Sequence, residues 1–220
     1  MCYHGGVKKK LTLLFAVGFT LAVIGNILFA VNNWQRSIVV SVPDGDSLQL
    51  KDGRRIRFLG IDAPERGRCM ADEARNKLVD LAQGRHVRLK NVVTDSYGRM
   101  LANVLVAKGG LLQRVLLAEG FARNRSSSGN PYHQVLKDAQ EAAKAAKLGI
   151  WSDTCRGQTP ANEDCTIKGN TRAGEKYYYL PSCSQYDQVL IDRAFGDSWF
   201  CSESEAKKAG FTKAASCKNE

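Results

Sequence analysis

Three short stretches carry residues able to bind a metal, grip an anion and move a proton. They are Asp44-Gly45-Asp46-Ser47, then Arg57 with Asp62-Ala63-Pro64-Glu65, then Thr94-Asp95-Ser96-Tyr97-Gly98-Arg99. Asp46 and Asp62 are hard oxygen donors at the ends of strand-like runs, a type suited to Ca²⁺. A divalent cation beside a phosphate neutralises its charge and orients it. Arg57 and Arg99 offer planar donor forks that match phosphate oxygens and stabilise a pentacoordinate transition state. Glu65 is a candidate to orient an attacking water or take its proton. Each stretch alone has a plain structural reading. Asp-Gly is a common turn, Arg57 sits in an alternating strand, and Tyr97-Gly98-Arg99 fits a tight turn. Together they form a set for phosphoryl transfer. Phosphodiesters are inert enough to require acceleration towards about 10¹⁷-fold, more than one group supplies.

The elements that must position these residues are legible from periodicity. Ile38–Val42, Ser47–Leu50 and Arg55–Ile61 read as strands, with Lys51-Asp52-Gly53-Arg54 as a hairpin turn. Residues 70–83 have helical spacing with Ala74, Leu78 and Leu81 on one stripe, and Gly84 stops them. His86–Lys90 and Leu101–Val106 alternate again. Leu111–Glu119 predicts a helix closed by Gly120, and Pro131–Lys147 a second one, rich in Ala and Lys. The expected fold class is α+β, with a small OB-type barrel and packed helices over residues 38–152. Residues 153–164 read as a linker, and 165–220 as a small Cys-containing module with a helix over Ser204–Ala209.

The N-terminus carries a different signal. Lys8-Lys9-Lys10 precede an apolar run from Leu11 to Val31 that contains no charged residue. A membrane-spanning helix needs about 20 apolar residues, whereas a cleavable signal has an apolar region of about 7–15. The length favours an uncleaved transmembrane signal-anchor over a cleaved signal ending near Ala30. Residues 32–37 then form a short juxtamembrane linker. The positive-inside rule keeps the lysines in the cytoplasm and places everything after Asn32 outside. Of the 7 cysteines, all except Cys2 fall on the exported side, where disulfides form. The net charge of +10 and a pI near 9.3 suit a polyanionic partner or an anionic membrane surface. An apolar content of 44% is enough for a packed core and excludes global disorder.

The three stretches, in their order and spacing, resemble the thermonuclease, or staphylococcal-nuclease-like, family. The resemblance continues through Leu117-Ala118-Glu119-Gly120-Phe121-Ala122 and into Leu148-Gly149-Ile150-Trp151, and covers about residues 38–152. It implies a five-stranded OB-fold barrel, a single Ca²⁺, and endonucleolytic cleavage of DNA and RNA that leaves 3′-phosphates. Carried over by position, Arg57, Glu65 and Arg99 match the family's catalytic residues, and Asp46 and Asp62 its calcium ligands. Ala63 stands where the family supplies a backbone carbonyl to the metal, and Tyr97 matches a tyrosine near the terminal phosphate. The family's base-packing aromatics are absent; Arg123-Asn124-Arg125-Ser126-Ser127-Ser128 stands there, with Tyr132 the nearest aromatic. Arg123 and Arg125 are expected to compensate through phosphate contacts. Asp44 is expected either to hold a metal-bound water or to cap its turn. A non-catalytic binding module on the same fold would have lost the five site residues that this chain keeps.

The C-terminal module is similar to the metal-binding domain of DNA-repair methyltransferases, which uses four thiolates. Cys183, Cys201 and Cys217 lack the close pairing of a Zn site, so disulfides are expected instead. Cys69 is expected to pair with Cys155 or Cys165, if it pairs at all. Every named catalytic residue precedes Asp153, so a chain stopped there is expected to retain hydrolysis of a short oligonucleotide. A monomer is expected, with nucleic acid as its partner and the membrane contacted through residues 11–31.

Overall fold

A computed structural model describes Thr20, Ala22–Ile24, and residues 37–107 and 110–217. Most of the expected membrane span, 11–31, therefore lies outside the described residues. Among the described residues no helix is long and apolar enough to cross a membrane.

Strands β1 (Val39–Asp44) and β2 (Ser47–Leu50) form an antiparallel hairpin. β3 (Arg55–Phe58) follows across the expected Lys51–Arg54 turn, where Gly53 takes φ 89° and its N–H donates to the Leu50 carbonyl at 3.0 Å. Arg55–Ile61 is not one strand. Gly60, at φ 79°, breaks it, and β4 (Ile61–Asp62) leaves the sheet. β5 (Val87–Thr94) and β6 (Met100–Val106) make a second hairpin, with β6 parallel to β3. β7 (Gly110–Leu111) adds to β6. The main path runs β1-β2-β3-β6-β5.

The sheet curls until its edges meet. Ile38 bridges His86, and the Val39 N–H donates to the Arg85 carbonyl at 3.0 Å. The expected closed five-stranded barrel is corrected accordingly: a six-stranded curled sheet is joined at its edges by one bridge rather than by a ladder. The register of β1 shifts twice, between Val39 and Ser41 and between Ser41 and Asp44. Such irregularities bend a strand and cut its pairing short.

Helices α1 (Ala71–Ala82), α2 (Leu112–Ala118) and α3 (His133–Ala145) pack on this sheet. α1 buries Ala71, Ala74, Leu78 and Ala82, one face at helical spacing. The core joins Leu48, Ile56, Phe58 and Val104 to Leu78, Leu116, Leu117 and Leu136. A buried polar thread crosses it. Asn103 Nδ2 donates to Asn91 at 3.1 Å and to Asn130 at 3.2 Å, and Gln113 bonds the Ala102 and Val104 backbone. Polar groups at this depth are costly unless paired, so the thread fixes the loop around Asn130 to the sheet.

The stretch 153–164, read as a linker, begins as helix α4 (Asp153–Arg156) with Cys155 fully buried. Its polar composition misleads because its partners lie far along the chain. Cys155 is bonded to Cys69, Arg156 pairs with Asp192 at 2.6 Å, and Gln158 exchanges hydrogen bonds with the Ile191 backbone. Beyond it, β9 (Ile167–Arg172), β10 (Glu175–Tyr179), β11 (Ser198–Phe200) and β12 (Thr212–Lys213) form a second sheet in the order β11-β9-β10-β12. Helix α5 (Glu203–Lys208) begins where the Ser202 side chain accepts from the Glu205 N–H. The further disulfides are Cys165–Cys201 and Cys183–Cys217, so all six cysteines after Cys2 are paired. Ala194 and Phe195 pack with Ala143, Ile150 and Trp151, so the C-terminal segment shares a core with the first sheet's helices.

Candidate active site

Asp46 lies in the β1–β2 turn, held there by two local devices. Asp44 Oδ1 accepts from the Asp46 N–H at 3.2 Å, and its other oxygen pairs with Arg55 at 3.1 Å. Asp44 therefore caps the turn. Gly45 packs where a Cβ would come within 2.8 Å of the Ala63 and Ala74 methyls, so only glycine lets the turn sit against α1. The Asp46 side chain is consequently buried, at 2% exposure. Its Oδ1 accepts from Arg57 Nη1 at 2.8 Å and its Oδ2 from the Ala63 N–H at 3.0 Å.

Arg57 projects from β3, and its other terminal nitrogen donates to Asp62 Oδ1 at 3.1 Å. One guanidinium thus spans both candidate calcium ligands. Asp62, in β4, is paired directly across from Arg123 in β8 (Arg123–Asn124). Arg123 Nη2 donates to Asp62 Oδ2 at 3.1 Å, and Arg125 Nε stands 3.8 Å from the same oxygen. Both expected substrate-binding arginines therefore converge on a carboxylate. Burial pushes the Asp46 carboxyl up to about 7, and Arg57 and the Ala63 N–H only partly offset it.

Arg99 closes the β5–β6 turn. Asp95 Oδ2 accepts from Arg99 Nε at 2.7 Å, while Oδ1 takes the Tyr97 and Arg99 N–H groups, each at 2.9 Å. Desolvation works to raise the Asp95 carboxyl, but these hydrogen bonds from Arg99 and Tyr97 prevail and hold it below the usual carboxylate range. The Arg99 guanidinium lies 5.2 Å from the centre of the Tyr97 ring, which is 82% exposed. Arg57 and Arg99 line one cavity of about 530 Å³ with Ser47, Arg55 and Met100. Glu65 lines a neighbouring one of about 220 Å³ with Asp44, Arg55 and Arg75. Arg55 borders both. A third groove of about 830 Å³ runs from Arg57, Asp62 and Arg125 past Val92, Val93 and Asn130. Tyr132 packs on the main core, and Val92 and Val93 are the exposed large hydrophobic residues that line this groove.

The donor set fits a hard cation. Asp46 and Asp62 carboxylates are already brought together by Arg57, and the buried Asp46 lacks full compensation for its charge. Among the described residues no group of three or more His, Cys, Asp or Glu side chains converges to hold a metal. Two carboxylates and the Ala63 carbonyl would leave at least half of the roughly six to eight oxygen positions of Ca²⁺ to water and phosphate. The sequence singles out these residues as candidates but does not reveal the cross-strand pairing of Asp62 with Arg123, because strands of two residues leave no periodicity to read.

Comparison with known proteins agrees with this geometry. Residues 55–153 match the family described as staphylococcal nuclease homologue. The chain is similar to a micrococcal nuclease of Shigella flexneri, 31% identical over 160 residues that cover 67% of this chain and 90% of that protein. It is similar to an uncharacterized endonuclease of Escherichia coli O157:H7, 32% identical over 118 residues, covering 52% of this chain and 76% of that protein. An uncharacterized endonuclease of Haemophilus influenzae is 34% identical over 120 residues, covering 52% and 65% respectively. A carboxylate pair bridged by arginine beside a second guanidinium is the equipment such hydrolysis needs, and the chain belongs to the staphylococcal nuclease homologue family, as a phosphodiester hydrolase acting on nucleic acid.

Proposed function

We propose that the protein is a Ca²⁺-dependent endonuclease that cuts DNA, RNA or both outside the cytoplasm and leaves 3′-phosphates. The observation that carries this reading is the span of Arg57 across Asp46 and Asp62, at 2.8 and 3.1 Å, beside the cavity it shares with Arg99. Ca²⁺ held by Asp46, Asp62 and the Ala63 carbonyl would supply charge neutralisation at the scissile phosphate. The chain's own groups do the rest. Arg57 and Arg99 donate to the phosphate oxygens, and Asp95 keeps Arg99 aimed. Glu65 orients the water or accepts its proton. Tyr97 borders the terminal phosphate. Arg125 extends the basic edge along the groove that begins at Asp62.

Three disulfides support placement in an oxidising compartment, and the apolar run at 11–31 supports a single-pass anchor for an otherwise monomeric protein. On this reading residues 38–152 form the nuclease domain and 165–220 an appended module. Digestion of plasmid DNA and RNA by the purified protein tests the chemistry. Cleavage is expected with Ca²⁺ and not with excess EDTA, and product ends should prime a polymerase only after phosphatase treatment. Full cleavage in EDTA would reject the metal site. Protease added to spheroplasts should remove the domain; protection until lysis would reverse the orientation.

A further inference from the structure

The C-terminal segment reaches the active site through one aromatic ring. The Arg123 guanidinium lies 3.4 Å from the centre of the Phe195 ring while its nitrogens bond Asp62. Arg123 therefore has one face on Phe195 and its edge on the carboxylate. Long arginine side chains have many rotamers, and fixing one costs entropy that a ring and a carboxylate together offset. Phe195 is itself held on both sides. It packs with Ala143, Ile150 and Trp151, and it ends a short 3₁₀ turn over Arg193–Phe195. Gly196 follows at φ 99°, where a Cβ would come within 3.0 Å of the Arg68 guanidinium carbon. Asp197 then ties the turn to the second sheet. Its carboxylate accepts from the Thr171 N–H at 2.7 Å, the Asp192 N–H at 2.9 Å and Asn170 Nδ2 at 3.0 Å. A continuous physical path thus joins β9 to Asp197, Phe195, Arg123 and Asp62.

We propose that Phe195 is a positioning residue for the nuclease site, holding Arg123 so that Asp62 presents its carboxylate towards Asp46 for the cation. The C-terminal module is then part of the metal-site architecture rather than a detached appendage. This deepens the calcium reading and rests on it. Phe195 touches neither phosphate nor metal and acts only through Arg123. Leucine at this position keeps the apolar packing but removes the π face, so it separates the two roles.

The test is a double-mutant cycle on the full chain, with Phe195→Leu, Arg123→Ala and both together. Ca²⁺ binding is read by titration calorimetry and the folded state by its thermal transition. Phe195→Leu should weaken Ca²⁺ binding by roughly threefold to tenfold, the size a part-buried cation–π contact can transmit. In the Arg123→Ala background it should add no further loss. The calcium concentration for half-maximal cleavage should shift by more than the rate at saturating calcium falls. Should Phe195→Leu not fold, Phe195→Met, which fills the space with an unbranched chain, serves in the same cycle. Wild-type affinity in the leucine or methionine variant, or losses that simply add, would overturn the inference and leave the calcium reading standing. A wild-type protein that binds no Ca²⁺ would overturn both.

Discussion

At Arg57 a single side chain satisfies two carboxylates, and that economy defines what the residue can do. Arg99 and Glu65 are expected to matter to turnover rather than to folding, since Arg99 borders an open cavity and Glu65 is exposed, whereas loss of Arg57 also leaves the buried Asp46 without its ion-pair partner and should lower the thermal midpoint as well as turnover. Replacing any of the three by alanine should lower turnover by about 10²–10³, the usual loss for one preorganised group. Near-normal rates in all three variants, measured on folded protein, would discard the assignment. Asp46 carries a second prediction. Its folded carboxyl is raised from 3.8 to about 7, chiefly by burial, so the native metal-free state holds a proton more tightly than the unfolded chain. Its contribution to stability is therefore full below about pH 4 and is lost as pH rises towards about 7. A cation that replaces the proton reverses this loss. Added Ca²⁺ should raise the thermal midpoint more at pH 8 than at pH 5.5. Equal increments at both pH values would show that Asp46 does not couple proton to metal.

Elements place these residues with unequal visibility. The β1–β2 turn was readable as a turn, but its fit against α1 was not. Substituting Gly45 by alanine should cost about 1–3 kcal/mol, because the new methyl meets the Ala63 and Ala74 side chains at 2.8 Å. A urea midpoint unchanged by this substitution would mean that the turn shifts freely. The hairpins and the three long helices were legible because alternating or helical spacing repeats over many residues in each. Arg57, Arg99 and Asp62 stand out in the sequence as candidates for chemistry because their types, order and spacing occur together. What stayed hidden is long-range. Asp62 and Arg123 pair across 61 residues of sequence, and Phe195 looks like any core aromatic until its ring is found on Arg123. Residues 153–164 read as a linker because the partners of Cys155, Arg156 and Gln158, namely Cys69, Asp192 and Ile191, lie elsewhere in the chain. The barrel closure was also hidden, because the two edges meet through a single bridge between Ile38 and His86, 48 residues apart, and not through a ladder with a periodicity to read.

Across the whole molecule, covalent links and a shared core bind the two sheets' surroundings together. Cys69–Cys155 ties the loop that follows Glu65 to α4. Replacing both cysteines by alanine should cost about 2–4 kcal/mol. Chemical denaturation would show this as an earlier midpoint, and an unaltered midpoint would assign the bond no stabilising role. A chain stopped near Asp153 keeps every proposed catalytic side chain but loses Cys155 and Phe195. It is expected to cut a short oligonucleotide only at raised Ca²⁺, with a lower thermal midpoint. Calcium dependence identical to that of the full chain would separate the module from the site.

The placement of that same Cys69–Cys155 bond bears on survival after proteolytic nicking. It spans 86 residues of sequence, from before α1 to α4. Asp46, Arg57, Asp62 and Glu65 all precede Cys69, whereas the second sheet follows Cys155. A single cut by a foreign protease anywhere between the two cysteines, for instance at exposed Ser127 or Ser128, breaks the chain without parting its halves. The fragments would run together on a non-reducing gel and come apart only with a thiol, so one nick need not end the enzyme's working life.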